Sequence, residues 1–537
     1  MRRLLILLVI VISILYFVES NEKVGFGNYK PSLNINRIED KYTITWSKIP
    51  YFAYYEVEVL NHIPEKNPDE SSMIPYHRVI KYRTFDNSII VDQNFPESTY
   101  LRVSAHSLFH HPLGYYSEAI PIIDTKFHKE TEKPAALIYY PIHAPAPNIP
   151  MLLWTILPGS VYYEIEFIST QPENPNGILP SEYQVFSTRE VFTNGYSINL
   201  STYPSNHLYW RVRALDFSGN PIGVFSDATE IFIDHSLPQV LKPISNTGYK
   251  AANMPMPLYP VYSWIPIAGA TNYEVELTTA QPENPNGVEP SRHRIRNQII
   301  KMGTDCYDEM PLLTPGTYFW RVRGLDDNGK AIGVYSDAES FVVTRDIGKY
   351  AATFGDSITH GGGAISYSPA DLEYSFQTYL SFPTANLGKS GDTSEAMANR
   401  FDDDVLPFHP KYLIIMGGSN SLRGGIPASQ VIKDLTAIRD KCLLHGIRPI
   451  FLTLPPINPT AIAQAFDEDT VPNWQKEFAT VNTFVRQQRY YIDLAPYFAD
   501  ETHALPLHYA TDGLHLDIEG KKLMAEIINA NWSKVTQ

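Results

Sequence analysis

Gln171-Pro-Glu-Asn-Pro-Asn-Gly177 recurs, residue for residue, 110 positions later as Gln281 to Gly287. Tyr209-Trp-Arg-Val-Arg213 returns as Phe319 to Arg323, Trp154 as Trp264, and Gly223-Val-Phe-Ser-Asp-Ala228 as Gly333 to Ala338, all at the same offset of 110. A more diverged copy precedes these two. In it Trp46 stands 108 positions before Trp154, Tyr55-Glu-Val-Glu58 stands 108 before Tyr163 to Glu166, and Arg102 stands 109 before Arg211. A period of this length is a domain's worth of chain, so the first two-thirds must fold as related units in series rather than around one core.

Inside each copy, apolar and charged residues alternate, as in Tyr273-Glu-Val-Glu-Leu277 and Trp320-Arg-Val-Arg323. That is the period of a β-strand. Asp216-Phe-Ser-Gly219 and Asp326-Asp-Asn-Gly329 supply turns between strands. The pattern predicts three β-sandwiches with a core tryptophan on an early strand. These units resemble fibronectin type III modules, or another immunoglobulin-like sandwich. We place them at 21–130, 131–237 and 238–346. The charged face, including Arg211, Arg213, Arg321 and Arg323, is expected to be solvated. The duplicated Pro-Glu-Asn-Pro-Asn-Gly loops are expected to be stiffened hairpin loops, with glycan binding as the alternative.

Met1-Arg2-Arg3 followed by the apolar run Leu4 to Val18 reads as an export signal over residues 1–20, with an uncleaved membrane anchor as its alternative. Either reading puts the remainder outside the cytoplasm, secreted or at the cell surface. Neither cysteine lies near the first residues after that run, so a lipid anchor is not expected. Cys306 and Cys442 fall in different units and are expected to be free thiols. A net charge of −15 with no long basic block excludes a general nucleic-acid binder.

After Thr344-Arg-Asp-Ile-Gly348 the pattern changes to alternating buried strands and amphipathic helices, and we place the start of a fourth domain, 347–537, there. Strands are expected at 350–354, 385–387, 412–416, 449–454 and 490–493, with helices at 430–445, 474–489 and 518–532. Five such alternations predict a parallel sheet covered on both faces, an α/β fold. At the end of the first strand, Gly355-Asp-Ser357 runs into Thr359-His-Gly-Gly-Gly363. A serine there stands where open α/β sheets bind ligands.

Three further blocks follow in order: Asn386-Leu-Gly-Lys-Ser-Gly391-Asp-Thr-Ser394, Gly417-Gly-Ser-Asn420 and Asp512-Gly-Leu-His515. Together with Gly-Asp-Ser they resemble the SGNH, or GDSL-type, hydrolase family over about the last 190 residues. The resemblance implies a flavodoxin-like sheet, Ser357 as nucleophile, His515 as base and Asp512 as its acid partner. It also implies an oxyanion hole from Ser357 N–H, Gly391 N–H and the Asn420 side chain. Where the family commonly has an aspartate after that asparagine, this chain has Ser421.

A serine hydroxyl needs a base to become nucleophilic, and imidazole suits neutral pH. His515 lies three residues beyond Asp512, so acid and base share one segment. His360, His503 and His508 are competing bases; His360 is otherwise a pocket residue or a solvated loop residue. Asp402-Asp-Asp404 reads as a solvated helix end or turn rather than a paired-carboxylate site. No cofactor and no metal are required. The resulting expectation is an exported carboxylic-ester hydrolase, with an acetylated extracellular glycan as candidate substrate. An acyltransferase, and a surface glycan-binding or adhesion protein with a degenerate hydrolase domain, are the alternatives.

Overall fold

A computed structural model describes residues 30–537 apart from 39–40, 50–52, 61–77, 92–99, 108–112, 115, 118, 122–131, 158, 218, 247–255, 365–366 and 501. The expected export signal at 1–20 lies outside the described residues. Among the described residues no helix is long and apolar enough to cross a membrane.

The N-terminal part is a compact unit of its own. Leu33–Ile38, Lys41–Trp46 and Ser88–Val91 form one antiparallel sheet, and Arg78–Thr84, Tyr54–Leu60, Tyr100–His106 and Ile120–Pro121 form another. Both contribute to one core that includes Trp46, Tyr55, Val57 and Val103.

The described chain from 132 on, apart from residues 219–221, belongs to a second compact unit. Its first part pairs Met151–Leu153 with Gly195–Ser197, and Tyr162–Ile168 with Gln184–Val191 and His207–Leu215, around Trp154 and Trp210. The next part repeats this plan. Val261–Ile265 lies beside Asp305–Tyr307, and Asn272–Thr278 between Arg294–Lys301 and Gly316–Leu325, around Trp264 and Trp320. The repeat thus corresponds to recurring pairs of antiparallel sheets. Cys306 and Cys442 are free and buried, and burial pushes both thiols up to about 12.

The charged face of these strands departs from expectation. Arg211 and Arg321 are 0% exposed, and Arg213 is buried as well. Register sets Glu166 opposite Arg211 and Glu164 opposite Arg213, then Glu276 opposite Arg321 and Glu274 opposite Arg323, so each arginine meets a carboxylate across the ladder. Arg211 Nε donates to Glu166 at 2.6 Å and Arg321 Nε to Glu276 at 2.6 Å. The duplicated loop closes over this ladder. Arg211 donates to the carbonyls of Asn174 and Leu179, Arg321 to those of Asn284 and Glu289, and the guanidinium groups lie over Phe225 and Tyr335. Alternation marks two faces of a strand; here a folded loop buries the polar one too.

The C-terminal region contains a five-stranded parallel sheet in the order Ala385–Asn386, Ala351–Gly355, Tyr412–Met416, Arg448–Leu452, Tyr491–Ile492. In chain order this is 2-1-3-4-5, the flavodoxin-like arrangement, with its switch point between the first and third strands. The central strands are buried throughout, as a sheet covered on both faces requires. Helices Ser394–Asp404, Ala428–Leu444, Trp474–Arg486 and Ile518–Thr536 accompany it. Pro459–Phe466 is a further helix outside the expected set, although Asn458-Pro459 carries its signal. The Asn458 side chain caps Ala461 N–H, and proline takes the first helical position.

Candidate active site

The strand Ala351–Gly355 ends because Asp356 caps the next turn: its Oδ1 accepts Ile358 N–H at 3.1 Å, opening the short helix Ser357–His360. Gly355 has to be a glycine, since a Cβ there would lie 2.1 Å from the Met416 carbonyl on the neighbouring strand. Ser357 is therefore delivered, partly exposed, at the carboxyl edge of the sheet beside the switch point.

His515 Nε2 lies 2.9 Å from Ser357 Oγ, and His515 Nδ1 lies 2.7 Å from Asp512 Oδ2. A carboxylate only accepts, so Nδ1 carries the proton and Nε2 is left to receive the serine hydroxyl. Asp512 is fully buried, and its other oxygen accepts the N–H groups of Leu514 and His515 at 2.8 and 2.7 Å. Those two bonds fold the Asp-Gly-Leu-His turn and fix the carboxylate under the ring. Phe466, from the unexpected helix, sets its ring edge-on to His515 with centroids 5.9 Å apart.

Gly391 has φ +84°, a left-handed conformation that favours glycine, and its N–H has no hydrogen-bond partner among the described residues. Asn420 donates from Nδ2 to the Asp392 carbonyl at 3.0 Å, which ties it to the residue after Gly391 and leaves its second amide hydrogen available. The short helix Ser419–Arg423, which carries Asn420, is braced without an aspartate at 421. Ser421 Oγ accepts Ser394 N–H at 3.0 Å, and Ser394 Oγ donates to Asp434 at 2.7 Å, so the carboxylate comes from helix Ala428–Leu444.

The competing histidines sit elsewhere. His503 and His508 are exposed. His360 is neither solvated nor pocket-lining: it is 2% exposed, with Nε2 2.9 Å from the Tyr259 carbonyl and Nδ1 2.9 Å from Ser390 Oγ. Burial brings its pKa down to about 4, so it is neutral at physiological pH. Asp404 is likewise buried; it ends the Ser394–Asp404 helix and pairs with Arg400 at 2.8 Å.

Beneath the serine, buried Lys521 donates to the Ile358 carbonyl at 2.9 Å. Burial lowers its pKa to about 8, and Asp517, Asp356 and Asp512 oppose that shift. No motif marks Lys521, Arg400, Asp434 or Phe466, because each reaches the site from a remote element by packing.

Residues 353–523 match the GDSL-like Lipase/Acylhydrolase family, which assigns this region to the GDSL/SGNH hydrolases and supports ester hydrolysis at a general level. Thioesterase 1/protease 1/lysophospholipase L1 of Escherichia coli is 26% identical over 181 residues, 32% of this chain and 77% of that protein. An uncharacterized lipoprotein of Bacillus subtilis, YqeF, is 38% identical over 78 residues, 13% of this chain; the match spans about a third (32%) of the lipoprotein's length. Among solved structures, a lipase/acylhydrolase from Enterococcus faecalis aligns with 35% of this chain and 99% of its own, at 22% identity and a TM-score of 0.29.

Proposed function

We propose that this protein is an exported serine esterase that hydrolyses carboxylic esters through Ser357, His515 and Asp512. The observation that carries the reading is the unbroken hydrogen-bonded chain from Ser357 Oγ through the imidazole to the buried Asp512 carboxylate. Ser357 Oγ attacks the ester carbonyl as its proton passes to His515 Nε2. The carbonyl oxygen becomes an oxyanion, received by Ser357 N–H, Gly391 N–H and the free Asn420 amide hydrogen. Collapse of this intermediate expels the alcohol, which takes the proton from His515, and leaves an acyl group on Ser357. Water, deprotonated by His515, then attacks the acyl group, and the acid leaves as the serine proton is restored. Asp512 holds the tautomer and stabilises the transient imidazolium.

O-acetyl esters of extracellular glycans are the substrate class we propose to try first, on the strength of the expected export signal and the β-rich units that precede the site. Short-chain aryl esters of graded acyl length provide the direct test. Ser357→Ala is expected to lower turnover more than about a hundredfold while the fold is retained. A variant that keeps more than a hundredth of the wild-type rate would remove Ser357 from the nucleophile's role.

A further inference from the structure

The segment Met256–Pro260, which leads into the Trp264 strand of the third β-rich part, does not end at that part's own core. Leu258 and Tyr259 belong to the core of the parallel-sheet region, and Leu258 N–H donates to the Asn386 carbonyl at 2.9 Å. From Tyr259 two chains of polar contacts run to the loop 386–392, which carries Gly391.

The first starts at the phenol. Tyr259 OH donates to Asp404 Oδ2 at 2.8 Å, and Asp404 Oδ2 in turn receives Arg400 Nη1 at 2.8 Å. Arg400 Nε donates to Asp392, Nη1 to the Leu387 carbonyl at 2.9 Å and Nη2 to the Gly355 carbonyl at 2.9 Å. One guanidinium therefore fastens the end of the nucleophile's strand to both ends of the Gly391 loop. Asp392 also offers its carbonyl to Asn420. The neighbour of one proposed oxyanion donor is thus the anchor of the other.

The second chain starts at the Tyr259 carbonyl. Ser390 N–H donates to His360 Nδ1 at 3.2 Å, so Nδ1 is the acceptor, Nε2 holds the proton, and Nε2–H donates to the Tyr259 carbonyl at 2.9 Å. His360 closes the helix that Ser357 opens, and its own carbonyl accepts Asn386 Nδ2 at 2.8 Å. Lys389 completes the clamp from the same loop: it pairs with Glu309 at 3.0 Å and lies over the Tyr259 ring at 4.7 Å.

We infer that Tyr259 is a positioning residue for the oxyanion hole, and that the third β-rich part works as a built-in support of the esterase site. The inference rests on the hydrolase reading above for its kinetic consequence, but its geometric content stands apart. A donor aimed at a developing charge is useful only when its place is fixed before the reaction. Gly391, exposed and without side-chain packing, has no means of its own to fix it.

The test uses the full-length chain and Tyr259→Phe, which removes only the hydroxyl. With a p-nitrophenyl acetate probe, kcat should fall about tenfold, in keeping with the sensitivity of catalysis to small misplacements, while KM stays within about twofold. Amide hydrogen exchange should rise in peptides covering 386–393 and stay at the wild-type level in those covering 512–515. An unchanged exchange rate at 386–393, a rise spread evenly over the region after 347, or an effect on KM with kcat unaltered would each overturn the inference. Should the wild-type protein turn over no ester, the hydrolase reading fails, and exchange at 386–393 alone decides whether Tyr259 holds the loop.

Discussion

Asn420 spends one amide hydrogen on the Asp392 carbonyl, and if the other serves the proposed oxyanion hole, its removal should be felt mainly in the transition state. We expect Asn420→Ala to lower kcat roughly 100-fold with little change in KM, which steady-state kinetics on a short-chain ester would measure. An effect on KM alone would make Asn420 a substrate contact instead. At this scale the meeting of Ser357, His515 and Asp512 could be read from the sequence, because residues of these types stand in short, recognisable blocks. The residues that hold them could not. Asp434 takes over the brace where Ser421 stands, and it does so through Ser394, 40 residues before it in the chain. His360 departs from expectation for the same reason: three residues from Ser357 in sequence, it is held by Tyr259, 101 residues away.

Among the elements, the strands themselves were legible and their environment was not. Period-two alternation locates Tyr273–Leu277 as a strand, and nothing local tells that the Glu274 and Glu276 face is covered by the loop beginning at Gln281. Once covered, the Glu276–Arg321 pair sits with both side chains 0% exposed, so its charges are solvated by protein groups alone: each other, Arg294 and Ser291 N–H at Glu276, and the loop carbonyls at Arg321. Such a pair adds little relative to apolar residues of the same volume, but loss of one partner strands the other. Glu276→Ala should destabilise the unit by about 3–5 kcal/mol, seen as a lower denaturant midpoint, and the cost should shrink when Arg321 is replaced by methionine at the same time. Equal midpoints for wild type and Glu276→Ala would mean that the loop carbonyls of Asn284 and Glu289 hold Arg321 unaided. The duplicated loop is thus the cover of an ion-pair ladder: Asn174 and Asn284 hold the arginines through their carbonyls, while Glu173 and Glu283 accept the Ser181 and Ser291 hydroxyls.

Across the whole of the second unit, the parallel-sheet region is joined to both β-rich parts that precede it. Tyr259 provides one junction. The other is formed by the loop at 367–374: Tyr367, stacked on Tyr374 with centroids 4.3 Å apart, hydrogen-bonds to Ser160, which also bonds Tyr163 at 2.9 Å. Asp371 lines a cavity of about 20 Å³ at this junction, together with Tyr163, Asn194, Thr304 and Asp305. Ser368 N–H donates to it at 3.0 Å, but loss of solvent, with Glu373 and Asp305 nearby, pushes its pKa from 3.8 up to about 8. Between these two values the folded protein holds a proton that the unfolded chain releases, so the contribution to stability is complete below about pH 4 and is lost as pH rises through 8. Asp305, Asp356 and Asp517 are pushed up only to about 6, and their share is spent by then. His360, lowered to about 4, and Lys521, lowered to about 8, act with the opposite sign at the two ends of the window from pH 6.5 to 8, so Asp371 is isolated by comparing the wild type with Asp371→Asn. There the wild-type free energy of unfolding should fall with a slope of up to about 1.4 kcal/mol per pH unit from this group, and Asp371→Asn should remove that component. Denaturant titrations at pH 6.5, 7.2 and 8 would measure it. Parallel slopes for the two proteins would mean that the carboxyl is already ionised in the fold and that the junction does not depend on its proton.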